Sequence, residues 1–190
     1  MEQRESFEEG GIYHIYNHGN GFENIFRSNS NYHHFLRKHD EYMGEVWDCL
    51  AFCLMPNHFH LLVRIKELQS QNNSINGVNK KVPQQFSHFS NSYAQAFNKN
   101  WGRRGSLFIR SFKRKRVLDE TYLKRLVCYI HNNPVKQGFK NSAADWEFSS
   151  YNRIISYPEE KLNKELIDFF GDLENFVSVH RCIIDGDIIN

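Results

Sequence analysis

Two β-rich runs separated by only three residues constrain this chain more than any other feature. Val46 to Leu54 (VWDCLAFCL) is almost wholly apolar, Met55-Pro56-Asn57 makes a tight connection, and His58 to Ile65 (HFHLLVRI) is β-rich again. Strands joined so closely must fold back as an antiparallel pair. A strand as apolar as the first belongs in the middle of a sheet.

The flanking segments supply partners for that pair. Residues 11 to 17 (GIYHIYN) predict a strand ending in the turn His18-Gly19-Asn20-Gly21. Tyr32, Phe35, Leu36 and Met43 fall at helical spacing behind the N-cap candidates Asn29 and Ser30. Lys66 to Lys81, rich in Asn, Gln and Ser, predicts a loop. Pro83 would open a helix carrying Phe86, Phe89, Tyr93 and Phe97 on one face. Ser106 to Leu118 predicts an extended, basic segment. Asp119 caps a helix from Glu120 to about Asn133, ended by Pro134. Asn141 to Tyr151 and 161 to 181 predict short outer helices. The order β-α-β-β-α-β-α is the split βαβ pattern of an α+β, ferredoxin-like fold: a mainly antiparallel central sheet with helices packed on one face. Residues 1–155 form the expected catalytic domain, and 156–190 a helical, acidic extension.

Charge divides along the chain. Lys and Arg crowd residues 96–140, where the only acids are Asp119 and Glu120, whereas acids prevail after residue 155. A cationic working face and an acidic tail are expected from this asymmetry, although a merely solvated surface has the same signature. Cys49, Cys53, Cys128 and Cys182 include no CxxC pair. No apolar run reaches the ~18 residues of a membrane span. A soluble, intracellular (cytoplasmic) protein with reduced thiols is expected.

Three groups of residues carry chemistry. His58 and His60 stand two apart on a strand, so both imidazoles share a face and make half of a metal site; ordinary strand histidines would show the same spacing. Tyr129 and Asn133 are i and i+4 on a helix, so a phenol neighbours an amide oxygen. Taken alone, Tyr129 is better explained by core packing between Leu126 and Ile130. His131 lies about 200° round from Tyr129, which makes it a weaker ligand candidate. Arg103, Arg104, Arg110, Lys113, Arg114, Lys115 and Arg116 form the basic set, with Lys113 and Lys115 facing one side of a strand and Arg114 and Arg116 the other. Trp101, Phe108 and Phe112 lie among them as candidate base-stacking rings.

The succession YHIYNHGN, FCLMPNHFHLLV, GRRGSLFIRSFK, YLKRLVCYIHNNPVKQG and DWEFSSY resembles the IS200/IS605-like tyrosine transposases with a His-hydrophobic-His motif, particularly the branch associated with REP palindromes. The likeness spans about residues 11 to 155. It implies that His58 and His60 are metal ligands, that Asn133 takes the place of the third ligand, and that Tyr129 is the nucleophile. It also implies Mg²⁺ or Mn²⁺ as metal, single-stranded or hairpin DNA as partner, and a monomer or homodimer. Two positions depart from the family's pattern. His18 stands where an arginine is usual, and in Arg110-Ser111-Phe112 the arginine is displaced by one residue.

The implied reaction is metal-dependent cleavage and rejoining of single-stranded DNA through a 5′-phosphotyrosine link, with His131 as a candidate proton acceptor. Two other classes fit parts of the pattern. A DNA-binding protein that had lost catalysis would not need His58, His60 and Tyr129 together. A metal-dependent hydrolase would use water as nucleophile and would want a third His or carboxylate.

Overall fold

The computed structural model describes residues 5–67 and 75–181. Its elements are β1 (Ile12–His18), α1 (Asn29–Met43), β2 (Trp47–Met55), β3 (His58–Ile65), α2 (Ile75–Asn100), β4 (Lys113–Val117), α3 (Glu120–His131), α4 (Asn133–Lys136), α5 (Tyr151–Ser156), α6 (Lys161–Asp168) and α7 (Leu173–Arg181). The four strands form one antiparallel sheet in the order β2-β3-β1-β4. That is the split βαβ arrangement expected from the element order.

Period-two alternation sorts the side chains. Tyr13 and Ile15 of β1 and Phe59, Leu61, Val63 and Ile65 of β3 turn toward α1 and α2, where Phe35, Phe86, Phe89 and Tyr93 complete an aromatic core. Those two helices are the layer that the pattern predicts. The opposite face gains a cover of its own. Leu62, Ala51 and Cys53 pack there against Leu123, Leu126 and Val127 of α3, and Leu166, Ile167 and Phe176 from the C-terminal helices join the same cluster. With helices on both sides, β3 is buried along almost its whole length. This explains its nearly continuous apolar character. The acidic extension therefore shares a core with the preceding residues, and Glu165 also pairs with Arg64 of β3.

Four local expectations are corrected. Helix α2 begins at Ile75, so residues 75–81 of the expected loop are helical, while residues 68–74 lie outside the described residues. Val78 and Val82 are buried and extend the stripe of Phe86, Phe89, Tyr93 and Phe97 by two turns. Packing outweighs the polar composition there, and Pro83 lies inside the helix rather than in its first turn. Second, the segment before β4 is irregular, joined to the sheet by a Gly19–Phe108 bridge and by the Asn17 side chain, which donates to the Ile109 carbonyl, so the strand is five residues long. Third, Pro134 does not end helical structure. Asp119 caps α3 by accepting from the Tyr122 N–H, the helix closes at His131, and Pro134 then occupies the first turn of α4, where its missing N–H costs nothing. The expected helix at Asn141–Tyr151 is a single turn at Ala143–Asp145, with α5 starting at Tyr151.

Candidate active site

Alternation along β1 and β3 brings four histidines onto the face opposite α1 and α2. The register pairs His18 with His58 and Tyr16 with His60. The His18 and His58 rings stack at 4.8 Å, and the His14 and His60 rings at 5.1 Å. His58 and His60, whose rings lie 5.1 Å apart and nearly perpendicular, are both buried. The shared face read from the HxH spacing is thus present.

Each imidazole is oriented by a neighbour. His58 Nδ1 lies 2.7 Å from Asn57 Oδ1. A carbonyl oxygen only accepts, so the proton sits on Nδ1 and Nε2 keeps its lone pair. His60 Nδ1 meets His14 Nε2 at 3.0 Å; when His60 donates there, its Nε2 is likewise a lone-pair donor. Burial holds both rings neutral. It pushes His58 down to about 4, with Asn133 opposing and His18 adding to the fall. His60 goes well below the usual imidazole value through burial and then the nearby His14, His58 and His18. Neutral imidazoles are the form that binds metal.

The α3–α4 junction completes the site within one chain. Asn133 is buried, and its Oδ1 stands 3.1 Å from His58 Nε2. Two atoms that both carry lone pairs approach so closely when something positive lies beside them. Adjacent ligands of an octahedral ion with bonds of about 2.1 Å are about 3.0 Å apart, so this pair fits a divalent cation. Among the described residues no three His, Cys, Asp or Glu could hold a metal. Two imidazoles and an amide oxygen are the donors this face could offer a metal. Tyr129 is half-buried on α3 with its ring 5.4 Å from that of His60, edge to face. Burial raises its phenol above the ordinary tyrosine value, and a hydrogen bond from the Asn133 amide works against that rise. Lys136 Nζ lies 5.2 Å from the centre of the same ring.

His131 is not in this site. It is wholly buried on the far side of α3, with Nδ1 2.8 Å from His180 Nε2 and Nε2 2.8 Å from Ser150 Oγ. It ties α3 to α5 and α7, and the structure separates it from the phenol it was expected to serve.

The basic residues divide by role. Lys113 and Lys115 pair across from Tyr16 and His14, on the site face. Arg114 and Arg116 point to the other face, with Arg114 over the Phe7 ring at 4.3 Å and Arg116 paired with Glu8 at 2.6 Å. Arg103 is bound to Glu23 and donates to the carbonyls of Gly105 and Ser106, so it holds a turn together. Arg104 and Arg110 are exposed. A groove of about 1260 Å³ runs between α2 and the segment 105–115, with Tyr16, Asn91, Gln95, Arg110, Phe112 and Lys113 among its walls. Phe112 thus borders open space, Phe108 packs into the core against Phe59 and Tyr93, and Trp101 is exposed with Arg27 over its ring. His14, Tyr16 and His18 were not identified as site residues from the sequence, His18 being noted only as a departure from the family's pattern, and neither were Asn57 and Gln137. The period of two in IYHIYNH, matching that of HFH, is the signal that could have found the first three.

Comparison with known proteins gives the chain's family. The family model for IS200-like transposases matches residues 23–133. A protein of Haemophilus influenzae named as a REP-associated tyrosine transposase is 30% identical over 132 residues, covering 67% of this chain and 73% of that one. The REP-associated tyrosine transposase of Escherichia coli K12 is 25% identical over 136 residues, covering 70% and 68%. A solved structure of a REP-associated tyrosine transposase bound to a REP hairpin superposes with a TM-score of 0.62 at 16% identity, covering 100% of this chain and 94% of that one. This chain belongs to the IS200-like transposase family.

Proposed function

We propose that this protein is a metal-dependent single-strand DNA endonuclease and strand transferase that acts beside hairpin DNA of the REP type through a 5′-phosphotyrosine intermediate. The observation that carries this reading is the meeting of His58, His60, Asn133 and Tyr129 from two distant parts of the chain. When bound, Mg²⁺ or Mn²⁺ supplies the positive charge that polarises a non-bridging oxygen of the scissile phosphate.

His58, His60 and the Asn133 oxygen hold that charge in place. Asn133 also works against the rise that burial imposes on the Tyr129 phenol, so one side chain would act on both the cation and the nucleophile. Tyr129 Oη attacks phosphorus and gives up its phenol proton, while the 3′-oxygen of the neighbouring nucleotide leaves and takes one up, so the protons balance. The DNA 5′-phosphate is then esterified to the tyrosine, and a 3′-hydroxyl is free. Because the ester retains the bond energy, another 3′-hydroxyl can attack it and restore the tyrosine. That suits joining better than hydrolysis. The groove beside Tyr16, cationic at Arg110 and Lys113 and bordered by Phe112, has the charge and ring chemistry that a single strand needs. The name of the matched structure points to hairpin DNA as substrate.

The test is a hairpin oligonucleotide with single-stranded flanks incubated with Mn²⁺. Covalent protein–DNA adduct that disappears in Tyr129→Phe, with hairpin binding retained, supports the reading. Adduct-free cleavage would make the protein a hydrolase, and binding without cleavage would make it a DNA-binding relative.

A further inference from the structure

A second carboxamide meets the atoms that would hold the metal. Gln137 follows α4, one turn beyond Asn133, with its backbone N–H bonded to the Asn133 carbonyl at 3.1 Å. Its Nε2 lies 2.8 Å from Asn133 Oδ1 and 3.1 Å from His58 Nε2, which are themselves 3.1 Å apart. The three terminal atoms form a nearly equilateral triangle. One face of an octahedron with bonds of about 2.1 Å has edges of about 3.0 Å, so the triangle has the size of such a face.

The chemistry of its corners matters as much as its size. His58 Nε2 and Asn133 Oδ1 both present lone pairs, and the Gln137 N–H bonds supply the positive charge between them. An amide N–H thus acts where a cation would act. We propose that Gln137 is a ligand of the metal site, its terminal amide turning over when a divalent ion binds so that Oε1 replaces Nε2 at the third corner. This rests on the metal-dependent reading above.

The turnover exchanges two nearly isosteric ends of one group, and Gln137 is exposed, so nothing packed around it must move. Its consequence is selectivity. Imidazoles alone suit Zn²⁺, whereas each amide oxygen shifts preference toward Mg²⁺ and Mn²⁺. A donor set of two imidazoles and two amides also carries no negative charge, leaving the full charge of the ion for the phosphate.

The experiment is a spin-resonance titration of Mn²⁺ on the full chain, with Zn²⁺ affinity measured by competition, for the wild type, Gln137→Ala and Gln137→Glu. Gln137→Ala is expected to lower Mn²⁺ affinity about tenfold and Zn²⁺ affinity much less, with an unchanged thermal midpoint of the metal-free protein. Gln137→Glu, which keeps the oxygen, is expected to bind Mn²⁺ at least as tightly as the wild type. Mn²⁺ binding in Gln137→Ala equal to or tighter than wild type overturns the assignment. So does an equal loss for both metals with no rescue by Glu. His58→Ala and His60→Ala separate the two levels of argument. If they abolish Mn²⁺ binding while Gln137→Ala does not, only the Gln137 assignment falls; if they leave it intact, the reading of the whole site falls.

Discussion

Asn133 Oδ1 lies 3.1 Å from His58 Nε2 although they are 75 positions apart in the chain, and the same side chain opposes the rise that burial imposes on the Tyr129 phenol. In the proposed reaction a single side chain would couple the place for the cation to the attacking phenol. Asn133→Asp should part the two functions. It keeps an oxygen and adds charge, so Mn²⁺ binding should hold or tighten. It removes the N–H that favours the phenolate, so adduct formation should slow about tenfold or more at pH 7 and recover as pH rises. Adduct formation at the wild-type rate across that range would show that the amide N–H does not assist Tyr129.

The buried imidazoles make stability depend on acid. Burial holds His14 down to about 3 and both His58 and His180 to about 4, each then modulated by its neighbours. Unfolded histidine titrates near ~6.5. Below that pH the unfolded chain binds protons that the folded chain refuses, so stability is full at neutral pH and falls as pH drops from about 6.5 toward 4. Between pH 6.5 and 5, His14 alone accounts for about 2 kcal/mol. Urea unfolding of chelator-treated protein should show this fall, and His14→Gln should reduce its slope by about one proton. A slope unchanged in that variant would place the proton uptake elsewhere.

The fold was largely legible because its signals are periodic. IYHIYNH, the apolar β2 and HFHLLVRI alternate or run apolar as strands do, and the stripe from Phe86 to Phe97 repeats as a helix does. What escaped was set by contacts between distant segments. The first turns of α2 look like loop, yet Val78 and Val82 are drawn onto the sheet. In the site, His58, His60, Tyr129 and Asn133 were readable from spacing and resemblance. His14, Tyr16 and His18 become neighbours of that set only through the β1–β3 register. Gln137 joins it because α4 restarts the helix after Asn132. His131, a candidate proton acceptor about 200° round the helix from Tyr129, lies away from the phenol, and the packing of α7 shows where its ring is held.

Helix α2 can be tested at its start. Val82 is fully buried among Phe and Tyr rings, one residue before Pro83. Val82→Ala should cost about 2 kcal/mol through lost burial and the cavity left behind. Lys80→Ala, on the same turn but exposed, should change stability by less than about 0.5 kcal/mol. Equal, small effects in both would mean that residues 75–82 do not pack as a helix on the sheet.

The cations of the basic segment should separate by salt dependence. Lys113 and Lys115 share the face of Tyr16 and His14, where a bound strand's phosphates would lie. Replacing either with Ala should weaken hairpin-DNA binding and lower the slope of log affinity against log salt by about one. Arg103 is consumed by Glu23, Asn98 and the Gly105 and Ser106 carbonyls. Arg103→Ala should therefore loosen the 98–106 turn and lower the thermal midpoint while leaving the salt slope nearly as it was. A full unit of slope lost with Arg103, and none with Lys113 or Lys115, would move the phosphate track from the sheet face to the turn after α2.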